Sequence, residues 1–168
     1  WIRSFTMQAR NDFLWDFTGR STERTLTLTP LAVNFHSGDS ITFNAIPNFE
    51  LLDKDFRVAQ GITLRQGKEY QYTRYSVGFT TANRRKLSGN TTVTGGTFYS
   101  GHRRDLAAGL NIRPRRGILA TLTTSFSRVE LPEGKFSTKV LRAVINTQLN
   151  PFISVSNNVQ YDSLSRIL

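Results

Sequence analysis

The stretch Ile118-Leu119-Ala120-Thr121-Leu122-Thr123-Thr124-Ser125-Phe126-Ser127 is two interleaved lists. Even positions carry Ile118, Ala120, Leu122, Thr124 and Phe126. Odd positions carry Leu119, Thr121, Thr123, Ser125 and Ser127. Successive side chains of a β-strand point to opposite sides, so this spacing gives one apolar and one polar face. The pattern recurs in Ile153, Val155, Asn157, Val159 and Tyr161, in Leu106, Ala108, Leu110 and Ile112, and in Leu141, Ala143, Ile145, Thr147 and Leu149. Enrichment in Thr, Val, Phe and Tyr supports strands, and no stretch of useful length has helical period.

Working outward, strands are predicted near 1–9, 24–35, 40–50, 70–82, 86–98, 104–113, 118–129, 136–148 and 152–162, with weaker signals at 12–17 and 56–64. At Pro30 the apolar phase slips, from Leu26 and Leu28 to Leu31, Val33 and Phe35. A bulge there would accommodate the proline and swap the faces. Short turns are predicted at His36-Ser37-Gly38-Asp39, Asn83-Arg84-Arg85-Lys86, Pro114-Arg115-Arg116-Gly117 and Asn150-Pro151. They alternate with longer links at 18–23, 51–69, 99–103 and 130–135. Short turns at one end and longer loops at the other is the organisation of an outer-membrane barrel. The strands exceed the usual length of soluble ones and suit a tilted bilayer crossing. The fold expected is all-β: an antiparallel up-and-down meander forming all or part of an outer-membrane-type β-barrel of about 8–10 strands, with residues 1–168 as one segment.

Composition narrows the function classes. Net charge is +10, from 22 Lys and Arg against 12 Asp and Glu, which favours anionic partners. Cysteine is absent, removing disulfides, thiolate metal sites and cysteine nucleophiles. No apolar run reaches the roughly 18 residues of a transmembrane helix, a test to which β-barrels are blind. The chain starts at Trp1 with no leader, which reads as truncation or processing and not as a cytoplasmic address.

The polar faces consist of Thr, Ser, Asn, Gln, Gly and Arg, with few carboxylates, which suits a wet lumen better than the exterior of a soluble barrel. Asn111, Arg113, Thr121, Thr123, Ser125, Arg142, Asn146 and Gln148 are the candidate lumen-facing residues. Arg84, Arg85, Lys86, Arg115 and Arg116 collect at one end as candidate contacts to lipid head groups or lipopolysaccharide phosphate, since Arg pairs well with phosphate. Tyr70, Tyr72, Tyr75, Phe98, Tyr99, Phe136, Phe152 and Tyr161 lie near strand ends, where aromatic residues form interfacial girdles.

Nothing in the chain has the spacing of a catalytic, cofactor or metal site. His36 and His102 fall at opposite strand ends, with no ligand partner nearby in sequence. Asp53 with Asp55, and Glu130 with Glu133, read as solvated loop carboxylates. The basic residues sit in turns and are not interleaved with aromatics on one face, so no nucleic-acid partner is expected. No enzyme activity and no cofactor are expected. The competing reading is a soluble all-β binding module for glycan, adhesin or nucleic-acid contacts. An inward cluster of Phe and Leu from several strands would favour it.

Several segments resemble one family. They are Phe35-His36-Ser37-Gly38-Asp39-Ser40, Gly67-Lys68-Glu69-Tyr70 with Tyr72-Thr73-Arg74-Tyr75, Arg85-Lys86-Leu87-Ser88-Gly89, and Asn150-Pro151-Phe152 leading to Val159-Gln160-Tyr161-Asp162. In this order and spacing they resemble the C-terminal barrel region of a bacterial outer-membrane family of unknown function. Its members carry an N-terminal sandwich similar to carbohydrate-binding modules. The resemblance implies a pore or anchor in the outer membrane of a Gram-negative bacterium, linked through that sandwich to glycan or nutrient handling. The sandwich has no counterpart here, the family's strands continue beyond the Tyr161-Asp162 region, and Leu168 is not the aromatic terminus of a complete barrel. The segment therefore reads as a fragment.

Overall fold

In a computed structural model describing residues 1–163, the chain is entirely β. The strands are β1 (Ile2–Trp15), β2 (Ser21–Phe35), β3 (Ser40–Leu51), β4 (Phe56–Ala59), β5 (Ile62–Leu64), β6 (Glu69–Thr80), β7 (Leu87–Phe98), β8 (Gly101–Ile112), β9 (Ile118–Leu131), β10 (Gly134–Asn150) and β11 (Ile153–Asp162). Nine of them form one antiparallel sheet in the order β1-β2-β3-β6-β7-β8-β9-β10-β11. Its strands run from 10 to 17 residues, and each pairs with its sequence neighbour in the sheet. The sheet is not closed: β1 and β11 are its edges. The remaining pair, β4 and β5, makes a small separate hairpin inside the 52–68 connection.

Pro30 marks a bulge. Thr29 lies opposite Gln8 and Ala32 opposite Thr6, so β2 spends one more residue there than β1 does. The same slip appears against β3, where Leu28 faces Ala45 and Leu31 faces Phe43. The extra residue puts Leu28 and Leu31 on one face despite their opposite parity.

The ladder register then aligns the apolar residues of every strand. Phe5 faces Val33, Val33 faces Ile41, Ile41 faces Phe79, and Phe43 faces Val77. Val77 faces Val93, Val93 faces Leu106, Leu106 faces Phe126, Leu122 faces Ala143, and Ala143 faces Val159. This face is one apolar band across all nine strands, and no other element among the described residues covers it. Val77 is 49% exposed, Val93 54%, Phe126 42% and Val159 61%. The opposite, polar face is enclosed in part: Ser76 is 5% and Ser88 2% exposed, while Thr123, Ser125, Arg142, Asn146 and Gln148 stay exposed. The sheet thus turns its polar face inward, the inverse of a protein that folds around an apolar core in water.

The connections differ from the alternation read in the sequence. Tyr99-Ser100 and Pro132-Glu133 are two-residue turns, because β8, β9 and β10 run further than their apolar periodicity does. Among the described residues only 52–68 is a long connection, and it contains the β4–β5 hairpin. In the 16–20 turn Asp16 accepts hydrogen bonds from the Thr18 hydroxyl (2.6 Å), the Thr18 N–H (2.8 Å) and the Arg20 N–H (2.9 Å), which lower its pKa, the Thr18 hydroxyl most. In the 36–39 turn Gly38 has φ +86°, a backbone conformation that favours glycine. The Leu168 terminus lies outside the described residues.

Candidate functional site

The inner face is built from alternate residues of nine strands, and its polar groups bond laterally. Thr29 donates to Asn44 (2.7 Å), Asn44 donates to Ser76 (3.0 Å), and Thr25 donates to Asn48 (2.9 Å). Further round, Thr121 donates to Asn111 (2.9 Å) and Arg142 Nε to Asn158 (3.0 Å). At the centre Asp105 on β8 collects three donors. Arg74 on β6 pairs with one of its oxygens, while Arg103 Nε (2.9 Å) and the Ser127 hydroxyl share the other. Arg74 Nε points into the same enclosed region and is buried without a partner. Arg10, Arg74, Arg103 and Arg142 are nearly balanced on this face by Asp12, Glu23, Glu50, Asp105 and Asp162.

At the end opposite the His36–Asp39 turn, the β4–β5 hairpin lies over the inner face. Leu52 and Leu64 pack with Tyr70, with Val58, Tyr72 and Tyr99 around them. Ile62 packs with Val129 and Leu131, with Phe98, Tyr99 and Phe136 alongside. One short hairpin therefore reaches from β6 to β10, and it does so on the inward side. The Tyr72 and Tyr99 hydroxyls both bond Glu50 (3.3 and 2.9 Å). Burial, reinforced by the Glu50 carboxylate, pushes the Tyr99 phenol pKa upward. The β6–β7 ladder ends at Arg74 opposite Gly96. Beyond it the Thr97 hydroxyl accepts from the Thr73 N–H (2.8 Å) and donates to the Thr73 carbonyl (3.2 Å), easing the strands apart where the aromatics insert.

The register places Asn111, Thr121, Thr123, Ser125, Arg142, Asn146 and Gln148 on this polar face. Arg113 lies at its rim, donating to the Asn83 carbonyl (2.8 Å) and the Ser88 hydroxyl (3.4 Å). Arg84, Arg85, Lys86, Arg115 and Arg116 gather at the end of the sheet that carries the His36–Asp39 turn. Two of them stitch turns together: Arg84 donates to the Ser37 carbonyl (2.8 Å), and Arg85 pairs with Asp39 (2.8 Å). The Ser37 hydroxyl above all, with the Ala82 N–H and Arg85, holds the Asp39 carboxyl down to about 2.

The aromatic residues near strand ends do not all share one face. Tyr70, Tyr72, Phe98, Tyr99 and Phe136 face inward beneath the hairpin, because they share strand parity or turn position with the polar face. Tyr75 and Tyr161 point outward, and Phe152 stands in its turn 95% exposed. The inward apolar cluster that would favour a soluble module thus exists, but among the described residues it is confined to the region under the hairpin.

The Arg74–Asp105–Arg103 group and the inward hairpin escaped the sequence reading. The trio lies on three non-adjacent positions of two strands separated by β7. The hairpin's only signal was the alternation Phe56, Val58, then Ile62, Leu64 around Gly61. Asp53 and Asp55 lie in the connection leading to the hairpin, with Asp55 accepting from the Gln66 N–H (2.8 Å). Glu130 lies not in a loop but in β9, because the ladders with β8 and β10 run on past it, and Arg128 and Lys135 hold it there; Glu133, in the turn, accepts from Ser100. Among the described residues no three His, Cys, Asp or Glu side chains gather as a metal site. The arrangement is suited to holding water and small polar solutes along a hydrogen-bonding wall. No protein-family model matches the chain, no curated protein matches it significantly, and no solved structure matches its fold significantly.

Proposed function

We propose that this chain is a membrane-spanning segment of a β-barrel in the outer membrane of a Gram-negative bacterium, serving as a pore or anchor. The observation that supports this reading is the inversion of the sheet, whose apolar band is left uncovered while the burial lies on its hydrogen-bonded polar face, around Ser76, Ser88 and the hairpin. In water an exposed apolar surface of this extent would drive association. Against acyl chains it is the required surface, and a polar interior is what a barrel lumen presents. The resemblance to the outer-membrane family supports the same conclusion. It makes a carbohydrate-binding-like N-terminal domain in the parent chain, and lipid or lipopolysaccharide around the barrel, the expected partners. Closure of the sheet into a barrel is part of this proposal.

Fractionation of the parent protein in its host tests the reading. The parent should sediment with the outer membrane, and this segment should require detergent to remain monodisperse. A segment that is soluble and monomeric without detergent would sink it.

A further inference from the structure

The surplus of positive charge is not on the inner face, where arginines and carboxylates are nearly balanced. Part of it lies on the outer face, at the same end of the sheet as the β4–β5 hairpin. There Arg104 on β8 sits directly opposite Arg128 on β9, and Lys139 on β10 stands diagonally beside Arg128, opposite Phe126. All three are exposed.

Directly opposed like charges destabilise a ladder, with Cβ atoms only about 5 Å apart. The neighbourhood does little to relieve them. Glu130 is already shared by Arg128 (2.8 Å) and Lys135 (3.3 Å), and the other neighbours on the face, Gly95, His102 and Ser137, supply no anion. Among the described residues, the side chains of Arg104 and Lys139 make no ion pair or hydrogen bond. His102, Arg104, Arg128 and Glu130 line a shallow depression of about 220 Å³. One residue pair further along the same face the apolar band begins, with Leu106 opposite Phe126 and Leu141 on the next strand.

We propose that Arg104, Arg128 and Lys139 form a site for the phosphate of a membrane lipid head group, with its acyl chains lying along Leu106, Phe126 and Leu141. A guanidinium offers phosphate two parallel hydrogen bonds, and an ammonium adds a point charge. One phosphate between Arg104 and Arg128 converts a repulsive cross-strand pair into a bridged one. The adjoining apolar strip selects a lipid over a free anion. This site rests on the membrane-spanning reading. It also gives the sheet an orientation, with the hairpin end in the leaflet richest in phosphorylated lipid.

The test folds the chain into vesicles of phosphatidylcholine alone and of phosphatidylcholine with bisphosphorylated lipid A, then counts retained lipid A by native mass spectrometry after mild detergent extraction. Protease protection in the plain vesicles reports insertion independently. The combined variant Arg104→Gln, Arg128→Gln, Lys139→Gln should insert normally and retain lipid A at least about tenfold less well than the parent. A control with matched charge loss on and beside the hairpin, Lys54→Gln, Arg57→Gln, Arg65→Gln, should retain it fully. Insertion with equal retention by parent and variant overturns the site alone. Complete displacement of lipid A by millimolar inorganic phosphate overturns the lipid and leaves only an anion contact. Failure of the unaltered chain to insert overturns the membrane reading, and the site with it.

Discussion

Arginine at position 93 separates a lipid-facing from a water-facing sheet in a single strand. Val93 lies mid-strand in β7, flanked across the ladders by Val77 and Leu106, and is 54% exposed. If that face meets water, the long side chain simply extends into solvent and Val93→Arg shifts stability by no more than about 0.5 kcal/mol. If it meets acyl chains near the bilayer midplane, the cost is about 2–4 kcal/mol. The neighbouring Thr92→Arg is the internal control. Thr92 faces inward between Gly78 and Ala107, whose small side chains leave room for a guanidinium in a wet interior. The assay is urea unfolding of chain folded into phosphatidylcholine vesicles, followed by tryptophan fluorescence. With a urea slope of about 2 kcal/mol/M, Val93→Arg should lower the midpoint by roughly 1–2 M while Thr92→Arg moves it little. Equal midpoints for the two variants, or a larger loss for Thr92→Arg, would refute the assignment of faces to lipid and lumen.

Other outcomes follow from particular contacts. Leu64 is 1% exposed under the hairpin, so Leu64→Ala should weaken hairpin seating by about 2–5 kcal/mol and speed tryptic cleavage at Arg57 and Arg65 at least about thirtyfold, with the nine-stranded sheet intact by circular dichroism. In planar bilayers the same variant should raise conductance, since it frees the segment lying over the inner face. Asp39 titrates near 2, below its unfolded value of about 3.9; its contribution is complete above that value and is lost as pH falls towards 2. The difference in melting temperature between the parent and Asp39→Asn should therefore shrink across that window. At Gly96, with φ +150°, an added Cβ would run into the Thr73 carbonyl oxygen, so Gly96→Val should destabilise by about 1–3 kcal/mol in thermal unfolding.

The strands were legible because their signal is local: a period of two over ten or more residues leaves little choice of structure. The bulge at Pro30 was legible for the same reason, since a phase slip in one strand needs no knowledge of its partners. Two things were hidden. Loop lengths depend on how far a ladder continues after its apolar alternation stops, as at Gly134 and Lys135, where pairing with Leu131 and Glu130 carries the strand on. The destination of an aromatic side chain near a strand end depends on what covers that end. Tyr70 and Tyr75 lie five residues apart and so on opposite faces, but no local window shows that a hairpin from another part of the chain buries Tyr70 while Tyr75 stays 53% exposed. The inner Asp105 cluster needs three strands in register, which no single window contains.

The open edges carry an arithmetic of their own. In a nine-stranded antiparallel meander the first and last strands run in the same direction, so β1 and β11 are co-directional. Joining them directly would make a parallel ladder in an otherwise antiparallel sheet, with slanted bonds and somewhat weaker pairing. Two copies inserted in the same sense meet the same obstacle wherever β11 of one reaches β1 of the next. Any ring that stays antiparallel throughout must interpose strands running against both edges, so the number of interposed strands is odd and the completed circuit even.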